Sequence, residues 1–90
     1  MTALLHEIWE STDDDGRWLP VCMVAGPDGD ELRSQLDIDA RLVTTFEAHS
    51  PFEAMTIFHR LMELGPYRGV SNDERRAYTE DALMRQFRGR

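Results

Sequence analysis

Residues 45–66 read TFEAHSPFEAMTIFHRLMELGP, and the character of the chain changes at Ser50. Up to that point the residues from Ala40, ARLVTTFEA, are rich in β-branched and aromatic types that suit a pleated, half-buried strand. Strand alternation puts Leu42, Thr44, Phe46 and Ala48 on one face and Val43, Thr45, Glu47 and His49 on the other, so the first set is expected to face the helices. Beyond it, Ser50 is placed to cap a helix, Pro51 takes the first helical position where its missing N–H costs nothing, and Glu53 completes Ser-x-x-Glu. Ala54, Met55, Phe58, Leu61 and Met62 then recur at spacings of three and four, which predicts an amphipathic helix of about fourteen residues. Gly65 is expected to take the left-handed cap, and Pro66 forbids continuation.

Upstream, LLHEIWES and RWLPVCMVA read as two strands joined by the turn formers STDDDG, an antiparallel hairpin. Pro20 cannot donate to a ladder, which puts the second strand at an edge or Pro20 at a bulge. That strand has apolar residues on both faces, Leu19, Val21 and Met23 against Trp18, Cys22 and Val24, so two covers are expected. A dimer contact or the C-terminal tail can supply the second. In GPDGDELRSQLDID, Asp28 and Glu31 have capping-box spacing and predict a helix of about two turns, with Leu32 and Leu36 on its buried side.

Downstream, GPYRGVSND is a linker, and Ser71 with Glu74 suggests a second capping box opening a helix over residues 72–87. Its acids come early and its arginines late, as the helix dipole favours, but its apolar side is thin: Leu83, Met84 and Phe87, flanked by Tyr78 and Ala82. Such a helix is expected to dock on a neighbour.

The order β-β-α-β-α-α predicts an α+β fold: a small three-stranded antiparallel sheet with helices on one face. A right-handed crossover through the short helix gives the spatial order 2-1-3. Residues 1–70 form the domain and residues 71–90 a C-terminal helical extension.

Ninety residues, 41% hydrophobic and 30% charged, make one modest core rather than a two-domain enzyme. The net charge of −7 is uneven, with thirteen acids against five arginines in residues 1–70 and four against five in residues 71–90. An acidic body repels phosphate backbones, so no nucleic acid is expected, while a basic protein partner or plain solubility fits. A single cysteine, Cys22, excludes an internal disulfide and a cysteine-rich zinc site, and its apolar surroundings mark a buried structural thiol. No basic leader and no run of membrane-spanning length occur, so a soluble cytoplasmic protein without membrane association is expected.

Imidazoles and carboxylates cluster around the strand–helix junction: Glu47, His49, Glu53 and His59, with His6 able to join if the first strand pairs with the third, a pairing that can equally leave it facing solvent or packed by an aromatic neighbour. Glu47, His49 and His59 are the candidate metal ligands, although no HExxH pair and no established zinc spacing is present. Capping already accounts for Glu53, so a surface seam is the competing reading. TDDDG lacks the spaced oxygens and terminal Glu of an EF-hand loop and reads as a solvated turn. No phosphate-binding glycine pattern and no nucleophile–base set appears, so no catalytic residue and no cofactor is assigned. Candidate interface residues are Trp18, Tyr67, Arg68, Leu83 and Phe87, since Trp, Tyr and Arg dominate binding hot spots.

TFEAHSPFEAM followed by GPYRG resembles a loose group of short, uncharacterised bacterial proteins in which a Thr-Phe-Glu-Ala strand end leads through a Ser-capped helix to a Pro-Tyr. The resemblance covers residues 3–69 and departs from the group at the helix end, where a Trp is expected and LMELGPYRG has none. It implies the fold outline and no activity. The expectation is therefore a small non-enzymatic interaction module, homodimeric. A metal- or small-ligand-binding protein using the histidine and glutamate cluster, and an acidic inhibitor or immunity-like partner of a basic protein, are the alternatives.

Overall fold

The computed structural model describes residues 2–88; Gly89 and Arg90 of the expected extension lie outside them. Strand β1 (Leu4–Thr12) lies between β2 (Trp18–Val24) and β3 (Arg41–Ala48), antiparallel to both, in the order β2-β1-β3. Alternation along β1 sends Leu4, His6 and Ile8 to one face, where all three are buried. Full burial of Leu4 and Ile8 contributes about 1.5–3 kcal/mol each. The hairpin loop is organised by Asp13, whose carboxylate accepts the backbone N–H groups of Asp15 and Arg17 at 2.9 Å each. The acidic run is thus a self-capped turn.

The face expected for β3 holds only in part. Ile8 pairs with Thr44 but Trp9 pairs with Leu42, so Val43 is an extra residue in a bulge. Because paired residues share a face, the bulge moves Leu42 to the side of Trp9, opposite Thr44. Leu42 and Val43 are left 49% and 42% exposed, and Ala48 is the buried residue of the strand.

Helix α2 (Pro51–Leu61) starts as its residues demand, with Ser50 Oγ accepting the Glu53 N–H at 3.1 Å. The return arm reaches one residue further back than a capping box requires, since Glu53 Oε1 accepts the His49 N–H, also at 3.1 Å. Ala54 and Phe58 are buried against the sheet face of His6 and Ile8. The helix ends three residues short of the expected length, and Glu63 at φ +56° takes the left-handed position that closes it, with Gly65 also at positive φ, +86°, two residues on. The Leu64 N–H bonds to the His59 carbonyl at 2.9 Å and the Glu63 N–H to that of Arg60 at 3.3 Å, the pairing of a Schellman motif.

The capping box expected of Asp28 with Glu31 does not form. Pro27–Gly29 is a 3-10 turn, and α1 (Asp30–Ser34) has no side-chain cap and no buried residue, so Leu32 stays exposed. Asp28 instead receives the Arg85 guanidinium, with Nε at 3.1 Å and Nη2 at 3.1 Å. Helix α1 is held to the sheet by Arg33, which bonds Glu7 Oε1 at 3.1 Å.

The tail departs most from expectation. No cap forms at Ser71, Asp73–Arg75 is a 3-10 turn, the chain is extended at Arg76, and α3 (Glu80–Arg88) begins eight residues late. Thr79 supplies its cap by accepting the Ala82 N–H at 3.2 Å. The break lets Tyr78 drop onto the sheet, its N–H on the His49 carbonyl at 2.8 Å and its hydroxyl on His6 at 2.8 Å. Helix α3 then crosses the end of the sheet, where Gln86 is buried. Gln86 Nε2 donates to the carbonyls of Leu5 (2.8 Å) and Ala25 (3.0 Å), and Oε1 accepts the Leu5 N–H at 3.0 Å. One side chain thus stands in for a peptide rung of the β1–β2 ladder. Helices on one face therefore describes α2; Leu83 and Phe87 of α3 reach Leu5 and Glu47 on the opposite face, because Gln86 must lie in the plane of the strands to serve both carbonyls.

Candidate functional site

The three candidate ligands of the strand–helix junction end up apart. Glu47 is the last polar residue of β3, and its pairing with Leu5 turns it to the face away from His6, beside Leu83. His49 does not share that face, because the strand stops at Ala48 and His49 sits in the turn into α2. Its Nδ1 lies 3.1 Å from Glu53 Oε1, the same oxygen that caps the helix. His59 lies near the C-terminal end of α2, with Nδ1 3.3 Å from the Gly65 carbonyl and its ring 5.0 Å from that of Tyr67. Among the described residues no three His, Cys, Asp or Glu side chains are grouped to hold a metal ion.

His6 belongs to a different arrangement: it is packed by an aromatic neighbour, as pairing of the first and third strands allows, and bonded to Tyr78, which sequence reasoning did not see. It is 2% exposed, stacked on Phe46 at 5.2 Å and 10°, and tilted against Tyr78 at 5.6 Å. Nδ1 lies 3.0 Å from the Leu4 carbonyl, which can only accept, so the neutral ring carries its proton there. Nε2 is then left to accept the Tyr78 hydroxyl. Burial lowers the His6 pKa, partly opposed by the Leu4 bond and the charge of Glu53. Burial likewise pushes the Tyr78 hydroxyl up to about 12 and the Cys22 thiol up to about 11. Cys22 therefore stays a thiol at neutral pH, and the nucleophilic thiolate is disfavoured. Tyr78 was legible only as a flanking residue of a helix; its aromatic ring on a polar stretch was the available signal.

The expected interface residues occupy three separate places. Trp18 is 52% exposed at the hairpin end of the sheet, its Nε1 donating to Glu10 Oε2 at 2.7 Å. Leu83 and Phe87 lie at the other end. Tyr67 and Arg68 lie beyond α2, where Tyr67 borders an open cavity of ≈ 460 Å³ that Thr56, His59, Arg60 and Glu63 also line. The Tyr67 hydroxyl donates to Glu74 Oε2 at 2.9 Å, and its ring leans on Phe52 at 5.6 Å.

Trp18 is not the only large apolar residue exposed at the hairpin end of the sheet. The register sets Trp18 against Thr12, Leu19 against Ser11 and Leu42 against Trp9. Asp37 is bound to the same corner through Ser11 Oγ (3.1 Å) and Thr12 Oγ1 (3.2 Å), which brings the fully exposed Ile38 there too. Trp18 on one face, Leu19 and Leu42 on the other, and Ile38 and Val43 are thus all exposed at the same end of the sheet, spread over its two edge strands and the loop. Sequence reading missed the last four because Leu19 and Leu42 fall in strand patterns that predict burial.

Among the described residues no helix is long and apolar enough to cross a membrane. Comparison of the chain with family models, curated proteins and solved structures returned no match.

Proposed function

We propose that the chain is a small interaction module without enzymatic activity, and that it associates with a second copy through the hairpin end of its sheet. The observation that supports this reading is the group of five large apolar side chains, Trp18, Leu19, Ile38, Leu42 and Val43, left in solvent at one end of an otherwise acidic domain. Apolar groups of this kind, rimmed by charge, are what protein interfaces cover. Glu10, Arg41 and Asp37 supply the rim. A two-fold dimer sets one such end against its own copy and removes both from water together.

Light scattering across micromolar concentrations tests this. The expected mass is twice that of the chain, falling to that of one chain when Ile38→Asp and Leu42→Asp are introduced together. Both positions are exposed, so the variant keeps its fold, which circular dichroism checks. A concentration-independent monomer for the unsubstituted chain overturns the proposal.

A further inference from the structure

We infer that the loop between α2 and α3 holds an oxyanion site of the phosphate class, framed by the guanidinium groups of Arg68 and Arg75. Both arginines line one polar depression of ≈ 220 Å³, together with the side chains of Ser71 and Asn72. Four of the nine described arginines, Arg33, Arg41, Arg76 and Arg85, each have a carboxylate within 3.5 Å. Arg68 and Arg75 have no carboxylate partner among the described residues, although two acids stand in the same loop.

Those two acids are engaged elsewhere. Asp73 pairs with Arg76 at 3.5 Å. Glu74 spends one oxygen on the Tyr67 hydroxyl at 2.9 Å and the other on the Val70 N–H at 3.1 Å. The same bonds draw the loop shut on Gly69, whose φ of +84° suits glycine and where a Cβ would lie 2.7 Å from Glu74 Oε1. Arg75 is also set in place, its guanidinium 4.0 Å from the centre of the Phe52 ring, which in turn leans on Tyr67. The depression thus offers one guanidinium held against Phe52 and a second, exposed one at Arg68, beside a hydroxyl and an amide, the donor types that bind a tetrahedral oxyanion through paired N–H···O bonds. The acidic body repels anions at long range, but at physiological salt charges more than about 8 Å away are largely screened.

Titration of the full chain with inorganic phosphate, followed by amide and guanidinium NMR shifts at constant ionic strength, tests the site. Saturable shifts confined to residues 68–75 are expected, weakened about tenfold in Arg68→Gln and in Arg75→Gln, a loss of about 1.4 kcal/mol each. Arg60→Gln, an exposed arginine outside the depression, should leave the affinity unchanged. Sulfate in place of phosphate should bind at the same residues, and acetate more weakly, if two guanidinium groups read a tetrahedral dianion. Absence of saturation, or equal weakening by Arg60→Gln and Arg75→Gln, overturns the inference and leaves only diffuse charge attraction.

Discussion

Gln86 closes the β1–β2 ladder on Leu5, a residue 81 positions away, by exchanging with it both bonds of a peptide rung. Removing that carboxamide leaves the Leu5 N–H and the Ala25 carbonyl without this partner. An unmet buried donor or acceptor costs about 1–3 kcal/mol. Gln86→Ala is therefore expected to lower stability by about 2–4 kcal/mol in urea unfolding, while Met84→Ala on the exposed side of α3 changes it by under about 0.5 kcal/mol. Equal effects at the two positions would deny the rung its role.

His6 makes stability depend on pH. Its folded pKa lies below that of the unfolded chain because burial disfavours the imidazolium, so the unfolded state binds more protons as pH falls through 6.5. The contribution is fully present above that pH and is lost below it, down to the folded pKa. Wild type should lose more stability between pH 7.5 and 5 than His6→Phe, whose ring can keep the stack on Phe46. Parallel pH profiles for the two proteins would rule the linkage out.

Tyr78→Phe retains the ring but deletes the hydroxyl that Nε2 of His6 accepts. A loss of about 1 kcal/mol is expected at pH 7.5, where His6 is neutral. The two changes should couple: added to His6→Phe, Tyr78→Phe should cost less than it does alone, as a double-mutant cycle reads.

Glu63 occupies the left-handed position that closes α2, where a side chain is strained. Glu63→Gly is expected to raise stability by about 1 kcal/mol, offset in part by the extra freedom glycine brings to the unfolded chain. A Tm that falls in this variant would contradict the strain.

Gly29 has an ordinary φ but no room, since a Cβ there would collide with the Val24 carbonyl oxygen. Gly29→Ala should lower stability by about 1–3 kcal/mol, as overpacking does, and thermal unfolding measures it.

Much of this architecture was readable where a rule is local. Ser50, Pro51 and Glu53 announce α2 through bonds made within four residues, and LLHEIWES and RWLPVCMVA announce the hairpin of β1 and β2. The strand order β2-β1-β3 agrees with that expected from the hairpin and a right-handed crossover. What escaped depends on competing partners that a capping or alternation pattern does not name. Asp28 satisfies a capping pattern, yet Arg85 claims it; Ser71 and Glu74 satisfy another, yet Tyr67 and Val70 claim the glutamate. The helix expected from residue 72 breaks because His6 and His49 offer Tyr78 better bonds than a helical turn does. The bulge at Val43 redirects Leu42 without any glycine or proline to signal it. For the histidines, spacing in sequence said nothing of the turn that separates His49 from Glu47.

The rung supplied by Gln86 also has a meaning in time. Hairpin pairing of β1 with β2 needs only neighbouring residues and forms on a microsecond scale, but its last rung waits for a residue 81 positions away. During synthesis at about 5–20 residues per second, several seconds separate the emergence of Leu5 from that of Gln86. Throughout that interval the Leu5 N–H and the Ala25 carbonyl are open to any other strand, which makes the nascent chain most vulnerable to mispairing at the corner that the finished protein seals best.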